Sequence, residues 1–294
     1  MSPMNERGSD AEDEFLSHLP PDTPVFYYKS QFRLESLQPP ESPYDSFVVI
    51  KAFPPELLDH LDEKLPGRLD YSLSLKVLIL KMPSRPHEAA AEEFGAMLTT
   101  LANHMKVRRQ ISYLGSSRVD GEDRKKQADR SWAPVRTQGK FPSVVLEVGY
   151  TETAAKLERD IAWWVRQSEG RVKMGITIDI KRGSHNIEIK SWIPARPFTK
   201  HVRLTASNRQ VVNRDTSLQP PLRIAQKIVI KKGGNGKEPT IEGGSLIIPF
   251  KSLLLCEPGE GEDNFVFTED MLIHDIADFI WVAIEKEEAE KRAK

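Results

Sequence analysis

Two acidic residues in the middle of the chain carry the clearest chemical signal in the sequence. Asp129 precedes the short segment Arg130-Ser-Trp132, and Glu147 lies within the apolar run at residues 144–148. A carboxylate among Val and Leu side chains is costly to desolvate unless a cation or a proton compensates it. We therefore predict a divalent metal ion between Asp129 and Glu147. The alternative is a pair of ordinary ion pairs at strand ends, with Arg130 or Arg136 as partner.

The elements around this pair alternate between strand and helix. Apolar spacing and turn residues predict a buried strand at 73–80, a helix at 87–105, strands at 111–114, 128–132 and 144–148, a second helix at 153–167 and a strand at 172–180. A helix that joins two strands indicates a right-handed crossover within one mixed sheet. We therefore expect an α/β (α+β) core with a mixed central sheet flanked by helices.

The two ends of the chain differ from this core. Residues 1–24 are acidic and polar, which predicts a disordered tail, and residues 25–74 form a Pro-rich, irregular N-terminal region. The core then extends over 75–182. Residues 183–294 are expected to form a β-rich extension with a final helix that packs on the core, from strands at 186–192, 202–206, 224–230 and 245–255 and a helix at 269–291.

The composition excludes several classes of protein. The net charge of −1 over 294 residues rules out a uniformly basic nucleic-acid coat, although a local basic face remains open. Cys256 is the only cysteine, so neither an intrachain disulfide nor a cysteine-rich zinc site can form. The acidic start is unlike a secretory signal, and no apolar run reaches transmembrane length. We expect an intracellular protein, cytoplasmic or nuclear, without a membrane partner.

Over about residues 75–180 the chain resembles the PD-(D/E)XK nuclease superfamily, which has the restriction-endonuclease-like fold. The likeness is greatest to the compact candidate endonucleases of cyanobacteria and to fungal proteins with the same layout. The segments that carry it are Met82-Pro-Ser-Arg-Pro-His87, Gln127-Ala-Asp129, Pro142-Ser-Val-Val-Leu-Glu147-Val and the strand from Gly170-Arg-Val172 to Asp179. The resemblance implies an αβββαβ nuclease-like core.

The resemblance also implies a function. Asp129, Glu147 and the main-chain carbonyl of Val148 become ligands of Mg²⁺, or of Mn²⁺, and a metal-activated water hydrolyses a phosphodiester bond. The implied partner is nucleic acid, with DNA expected, and a homodimer is kept open. Glu88 or Glu92 on the first helix is implied as an acidic residue that completes the site. His87 is a candidate for orienting a substrate phosphate, and its alternative is a simple helix start.

One element of the superfamily motif is missing. Position 149 is Gly, where the superfamily usually has a catalytic Lys two residues after the Glu. Lys156 and Lys173 are the substitutes to consider, against the alternative that both are solvated surface lysines. Gly149 therefore keeps a second hypothesis open, in which the chain is a catalytically inactive nuclease-fold protein that binds nucleic acid or another protein.

Two tryptophans on the second predicted helix have different expected roles. Trp164 follows the apolar stripe and is expected in the core, whereas Trp163 beside it is expected to be partly exposed. A partly exposed Trp is able to stack on a base. The pair is weak support for nucleic-acid binding.

Overall fold

The computed structural model describes residues 6–29, 44–61, 65–137, 139–150, 154–195, 221–234 and 237–293. The helices in these ranges are α1 Glu6–Leu16, α2 Pro55–Leu61, α3 Arg85–His104, α4 Ala154–Gln167, α5 Phe250–Leu254 and α6 Asp278–Ala293, with a 3₁₀ turn at Arg108–Gln110 and a π-helical segment at Met271–Ala277. The strands are β1 Val25–Tyr27, β2 Ser46–Lys51, β3 Arg68–Ser72, β4 Val77–Met82, β5 Ile111–Tyr113, β6 Arg118–Asp120, β7 Arg124–Gln127, β8 Arg130–Pro134, β9 Val144–Gly149, β10 Met174–Ile180, β11 Ile187–Pro194, β12 Leu222–Lys231, β13 Thr240–Glu242, β14 Leu246–Ile248 and β15 Phe265–Phe267.

These strands form two large sheets and a small hairpin. The first sheet has the order β1-β2-β4-β3-β7-β6, the second has the order β13-β12-β11-β10-β9-β8-β5, and β14 pairs with β15. In the second sheet β9 and β10 are parallel and the other neighbours are antiparallel. The predicted mixed sheet is therefore confirmed for the second sheet, together with the α/β (α+β) fold class.

Helices cover both faces of the second sheet. Val144, Leu146 and Val148 of β9 join the larger apolar core, to which α3, α5, α6 and the π-helical segment contribute. The opposite face of β9 carries Val145 and packs on α4. A Cβ on Gly175 of β10 would lie 2.4 Å from the Ile161 side chain, so glycine is what lets α4 pack this closely. Strands β9 and β10 are fully buried.

Helix α3 begins where the sequence predicts. The Ser84 hydroxyl accepts a hydrogen bond from the His87 amide, and Pro86 lies in the first turn, where its missing N–H costs nothing. Its apolar face buries Phe94 and Leu98 in the larger core. The predicted helix at 87–105 is thus confirmed, and so are the helix at 153–167 and the strands at 111–114, 144–148 and 172–180. The observed ends of these elements differ from the predicted ends by at most two residues.

The prediction of a disordered tail over residues 1–24 was wrong for its described part. Residues 6–16 form α1, and the chain continues into β1 at 25–27. The physical reason is that the acidic segment ends in apolar residues, Phe15, Leu16 and Leu19. These side chains pack against an apolar surface of the first sheet that exists only after β2 and β4 have paired.

The prediction of an irregular region over 25–74 was also wrong where the structure describes it. Strands β1, β2 and β3 lie there, and with β4, β6 and β7 they form a sheet of their own. The strand expected at 73–80 begins only at Val77, after a turn in which Lys76 has a positive φ of 53°. The strand expected at 128–132 is found as β8 but begins two residues later, at Arg130, because β7 ends in the first sheet at Gln127 and the chain crosses to the second sheet in between.

The C-terminal extension agrees with the prediction in part. The strands expected at 186–192 and 224–230 correspond to β11 and β12, and the strand expected at 202–206 lies outside the described residues. The strand expected at 245–255 was half wrong, because α5 follows Pro249 after only three strand residues. Among the described residues, no helix has the length and apolar character needed to cross a membrane.

Candidate functional site

Asp129 lies at the junction between the two sheets. It occupies the connection from β7 to β8, and its side chain is only 1% exposed. The amide of Val148 donates a hydrogen bond of 2.7 Å to its Oδ2 atom, which fixes the carboxylate at the end of β9. The neighbouring Ala128 is buried against α4. The crossing between the sheets therefore positions the first predicted carboxylate.

Lys81 supplies an ammonium beside Asp129. It is the fifth residue of β4, and its ammonium lies 3.2 Å from Asp129 Oδ2 and donates a 2.7 Å hydrogen bond to the Val148 carbonyl. These two oxygens are two of the three expected metal ligands. Lys81 was not among the predicted site residues, although a lysine in the apolar run Val-Leu-Ile-Leu-Lys-Met indicates a buried cation that needs a partner.

His87 connects Asp129 to a third carboxylate. Its ring is fully buried, with Nδ1 2.9 Å from Asp45 Oδ2 and Nε2 3.0 Å from Asp129 Oδ1, the latter pair not aligned for a hydrogen bond. Burial by itself lowers the pKa of His87, but the charges of Asp129 and Asp45 outweigh it and raise this pKa to about 9. His87 is therefore a protonated link between two carboxylates, with no exposed atom to contact a phosphate in this conformation.

The same contacts keep Asp129 ionised. Burial raises the pKa of an isolated carboxyl, but His87 and Lys81 more than reverse that effect and hold the pKa of Asp129 well below its usual range. Asp45 is held in a similar way: it accepts hydrogen bonds from the Ser84 amide and hydroxyl, both 2.9 Å, and from the Tyr150 amide at 3.1 Å. Its pKa is also lowered, with His87 as the main opposing charge to burial.

Glu147 has a different environment from Asp129. It is buried on the face of β9 that α4 covers, and its Oε1 atom accepts a 2.6 Å hydrogen bond from the Trp164 indole. The nearest ammonium is that of Lys126, at 3.8 Å. Burial raises the pKa of Glu147 to about 8, with the charges of Asp129 and Asp160 adding to the rise and Lys126 opposing it. The carboxyl is consequently protonated near neutral pH.

A second buried network, here called the Lys126 cluster, adjoins Glu147. Its members are Asp70, Arg124, Lys126, Lys156 and Asp160. Lys126 lies 3.2 Å from Asp70 and 3.1 Å from Asp160, Lys156 lies 2.6 Å from Asp160, and Arg124 contacts Asp70 directly. Despite burial, the surrounding cations lower the pKa of both aspartates. Lys156 is therefore a buried member of this cluster and not the solvated lysine of the alternative hypothesis.

Lys173 does not reach the acidic pair in this conformation. It is exposed, and its ammonium donates to the Gly170 carbonyl at 2.5 Å. Glu147 pairs with Thr177 on β10, and Lys173 lies four residues before Thr177. At a rise of about 3.3 Å per residue, this separation is about 13 Å along the strand. The arrangement disfavours a catalytic role for Lys173.

The acidic residues on α3 lie at the rim of the centre. Glu88 forms a 2.8 Å ion pair with Arg68, whose Nε atom is 3.9 Å from Asp129 Oδ1. Glu92 pairs with Arg130. Arg130 is therefore engaged by Glu92. Among the described residues, the ionic partners of Asp129 are Lys81, His87 and Arg68, and the ionic partner of Glu147 is Lys126.

The donor atoms suit a hard cation such as Mg²⁺, since they are two carboxylates and a carbonyl. Asp129 Oδ1 is a buried oxygen without a hydrogen bond. Three further oxygens already have partners, because Lys81 contacts Asp129 Oδ2 and the Val148 carbonyl, and Trp164 contacts Glu147 Oε1. In the part of the chain that is described, no group of three His, Cys, Asp or Glu side chains is arranged to hold a metal. The cation in this position is the Lys81 ammonium, which a metal ion would have to displace.

Comparisons with known proteins add little to this geometry. No protein-family model and no curated protein matches the chain. Among solved structures, a crystal structure from Anabaena variabilis ATCC 29413, described as a candidate nuclease belonging to DUF820, aligns over 74% of this chain and 96% of its own length. The identity is 12% and the TM-score is 0.38. A likeness at this level establishes neither a common fold nor a common activity.

Proposed function

We propose that this chain is a metal-dependent nuclease with DNA as the expected substrate and a centre formed by Asp129, Glu147 and Lys81. One observation carries the proposal: the Lys81 ammonium lies 3.2 Å from Asp129 and 2.7 Å from the Val148 carbonyl. Position 149 lacks the lysine of the superfamily motif, and Lys81 brings an equivalent charge to the acidic pair from a different strand. The Asp, Glu and Lys side chains needed for such a centre are thereby present.

Each residue of the proposed centre has a role that its contacts support. Asp129, Glu147 and the Val148 carbonyl would hold Mg²⁺ or Mn²⁺, and the bound cation would polarise the scissile phosphate and lower the pKa of a water. His87 and the Val148 amide keep Asp129 ionised and oriented. Lys81 has a long flexible stem, so that its ammonium, once released from the two oxygens, stabilises negative charge on the phosphate.

The proposal is tested by cleavage of single-stranded and duplex DNA and of RNA, with Mg²⁺, with Mn²⁺ and with EDTA. We expect metal-dependent cleavage that Asp129→Asn and Lys81→Met each reduce at least 100-fold. Asp179→Asn is the matched control, because Asp179 is also a buried carboxylate but lies on β10 beside Gly149 and pairs with Lys181. Equal loss in the control, or an inactive wild type on every substrate with either ion, contradicts the proposal.

A second candidate function is favoured by a specific observation. Lys81 fills the position of the expected cation, and Glu147 is protonated near neutral pH. In this alternative the centre only stabilises the fold, and the chain binds nucleic acid or another protein without cleaving it. Salt-dependent DNA binding that survives Asp129→Asn, with no cleavage at any metal concentration, would select this function. Light scattering of the purified chain tests the homodimer, which stays a prediction.

A further inference from the structure

A cleft of about 760 Å³ separates α1 from α4. The Lys126 cluster reaches its wall through Arg124, Lys156 and Asp160, so the cleft adjoins the buried networks but opens to solvent on the other side. Its remaining wall includes Arg159, Trp163 and Arg166 of α4. This surface is distinct from the centre at Asp129, whose residues do not line it.

Three of these residues form one stripe along α4. Arg159, Trp163 and Arg166 follow one another at spacings of four and three residues, which places them on the same helical face over about 10 Å. Trp164 and Ile161 point to the core instead. The resulting α4 stripe, Arg159-Trp163-Arg166, alternates cation, aromatic ring and cation. This sequence of groups matches the alternation of phosphates and bases in a single strand of nucleic acid.

The two guanidinium groups of the stripe form little ionic contact with the rest of the described chain. Arg166 is exposed and forms no ion pair with any part of the chain that is described. Arg159 is 47% exposed, and its only ionic partner within the described ranges is Glu14 of α1, at 3.9 Å. Exposed ion pairs of this length contribute little to stability. Both guanidinium groups are therefore available to an incoming anion.

Helix α1 lies over this stripe and is acidic. The Glu14 carbonyl accepts a 3.2 Å hydrogen bond from Arg159, and the Phe15 ring lies 5.1 Å from the Arg124 guanidinium. Asp10, Glu12 and Asp13 precede these residues on the same short helix, which has 11 residues. A helix of this length is marginal by itself, so α1 depends on contacts of Phe15 and Leu16 with the first sheet and on the ion pair of Glu12 with Lys51. It is a weakly held, negatively charged cover over a cationic surface.

We infer that the α4 stripe binds single-stranded nucleic acid, and that α1 competes with this ligand for the same surface. The phosphates contact Arg159 and Arg166, and a base stacks on the exposed part of Trp163. The inference goes beyond the proposed nuclease function, since it concerns a separate surface and holds whether or not the chain cleaves its ligand.

The test is the binding of a fluorescein-labelled single-stranded oligodeoxynucleotide of mixed sequence to the full chain in EDTA, followed by fluorescence anisotropy. EDTA removes cleavage, so a failure of this inference and a failure of the nuclease proposal are distinguishable. We expect the double variant Arg159→Glu and Arg166→Glu to weaken binding at least tenfold and to reduce the slope of log K against log salt by about 1.4. Lys251→Glu is the control, because Lys251 is also an exposed cation but lies on α5.

Competition by α1 is tested with the variant Glu14→Gln, combined with Phe15→Ala to loosen the cover. We expect this variant to bind the oligonucleotide at least threefold more tightly than the wild type at 50 mM salt. Binding that is unchanged by the Arg159 and Arg166 substitutions, or weakened equally by Lys251→Glu, overturns the binding surface. A Glu14 and Phe15 variant that binds no more tightly than the wild type overturns the competition.

Discussion

The Asp129 centre and the Lys126 cluster are both buried ionic networks beside β9, but they differ in how their charges are balanced. In the Lys126 cluster the aspartates Asp70 and Asp160 are surrounded by cations, and their pKa values are lowered. At the other network, Asp129 is ionised whereas its neighbour Glu147 has its pKa raised to about 8. The difference indicates that the Lys126 cluster is a closed structural unit, in which cations neutralise both aspartates. The Asp129 centre instead retains a carboxyl, that of Glu147, able to change its protonation state near neutral pH.

The cause of the difference is the nature of the partners. Asp160 is contacted by three cations, Lys126, Lys156 and Arg124, at 2.6 to 3.4 Å. Glu147 has a neutral indole at 2.6 Å and one ammonium at 3.8 Å. A buried carboxyl without a close cation takes up a proton to avoid the desolvation of its charge. Two carboxyls buried to the same degree thereby acquire opposite pKa shifts.

The largest expected effect follows from opening the Lys126 cluster. Lys126→Met leaves Asp70 and Asp160 with one buried cation fewer, and we expect a loss of about 3–5 kcal/mol in the free energy of unfolding. Urea denaturation measures this loss. Lys125→Met is the control on the adjacent residue, because the ionic partner of Lys125 among the described residues is the exposed Asp59 and its loss is expected to cost less than about 1 kcal/mol. Equal losses for both lysines would mean that the cluster is not a closed structural unit.

A smaller effect, and one that depends on pH, is expected at Glu147. Its pKa is about 8 in the folded chain and near 4.5 in the unfolded chain, so between these values the folded state holds the additional proton. Stability therefore falls as pH rises from about 5 to 8, at up to about 1.4 kcal/mol per pH unit from this group. In Glu147→Gln this contribution is absent. Urea denaturation at several pH values gives the slope of the free energy of unfolding against pH for the wild type and for Glu147→Gln. Equal slopes for the two proteins would contradict the raised pKa.

The two networks also show which features of the site could be predicted from the sequence and which could not. The helix at 153–167 and the strand at 144–148 follow from local apolar periodicity, and both are found in α4 and β9. Local patterns also identified Asp129 and Glu147 as buried carboxylates that need partners. The partners themselves were missed, because Lys81 comes from a different sheet, 48 residues away from Asp129 along the chain. Pairing across two sheets depends on the topology, which a single sequence does not specify.

The smallest expected effect concerns Lys173, which the sequence offered as a replacement for the missing lysine at position 149. It is exposed and its ammonium donates to the Gly170 carbonyl of its own loop, so Lys173→Ala is expected to change the free energy of unfolding by less than about 0.5 kcal/mol. Lys81→Met removes an ammonium that is bonded to Asp129 and Val148, so it should weaken both stability and any cleavage. Denaturation and cleavage assays on the two variants compare them directly. If Lys173→Ala abolished cleavage and Lys81→Met did not, the functional lysine would be Lys173, just before β10, and the assignment to Lys81 of β4 would be wrong.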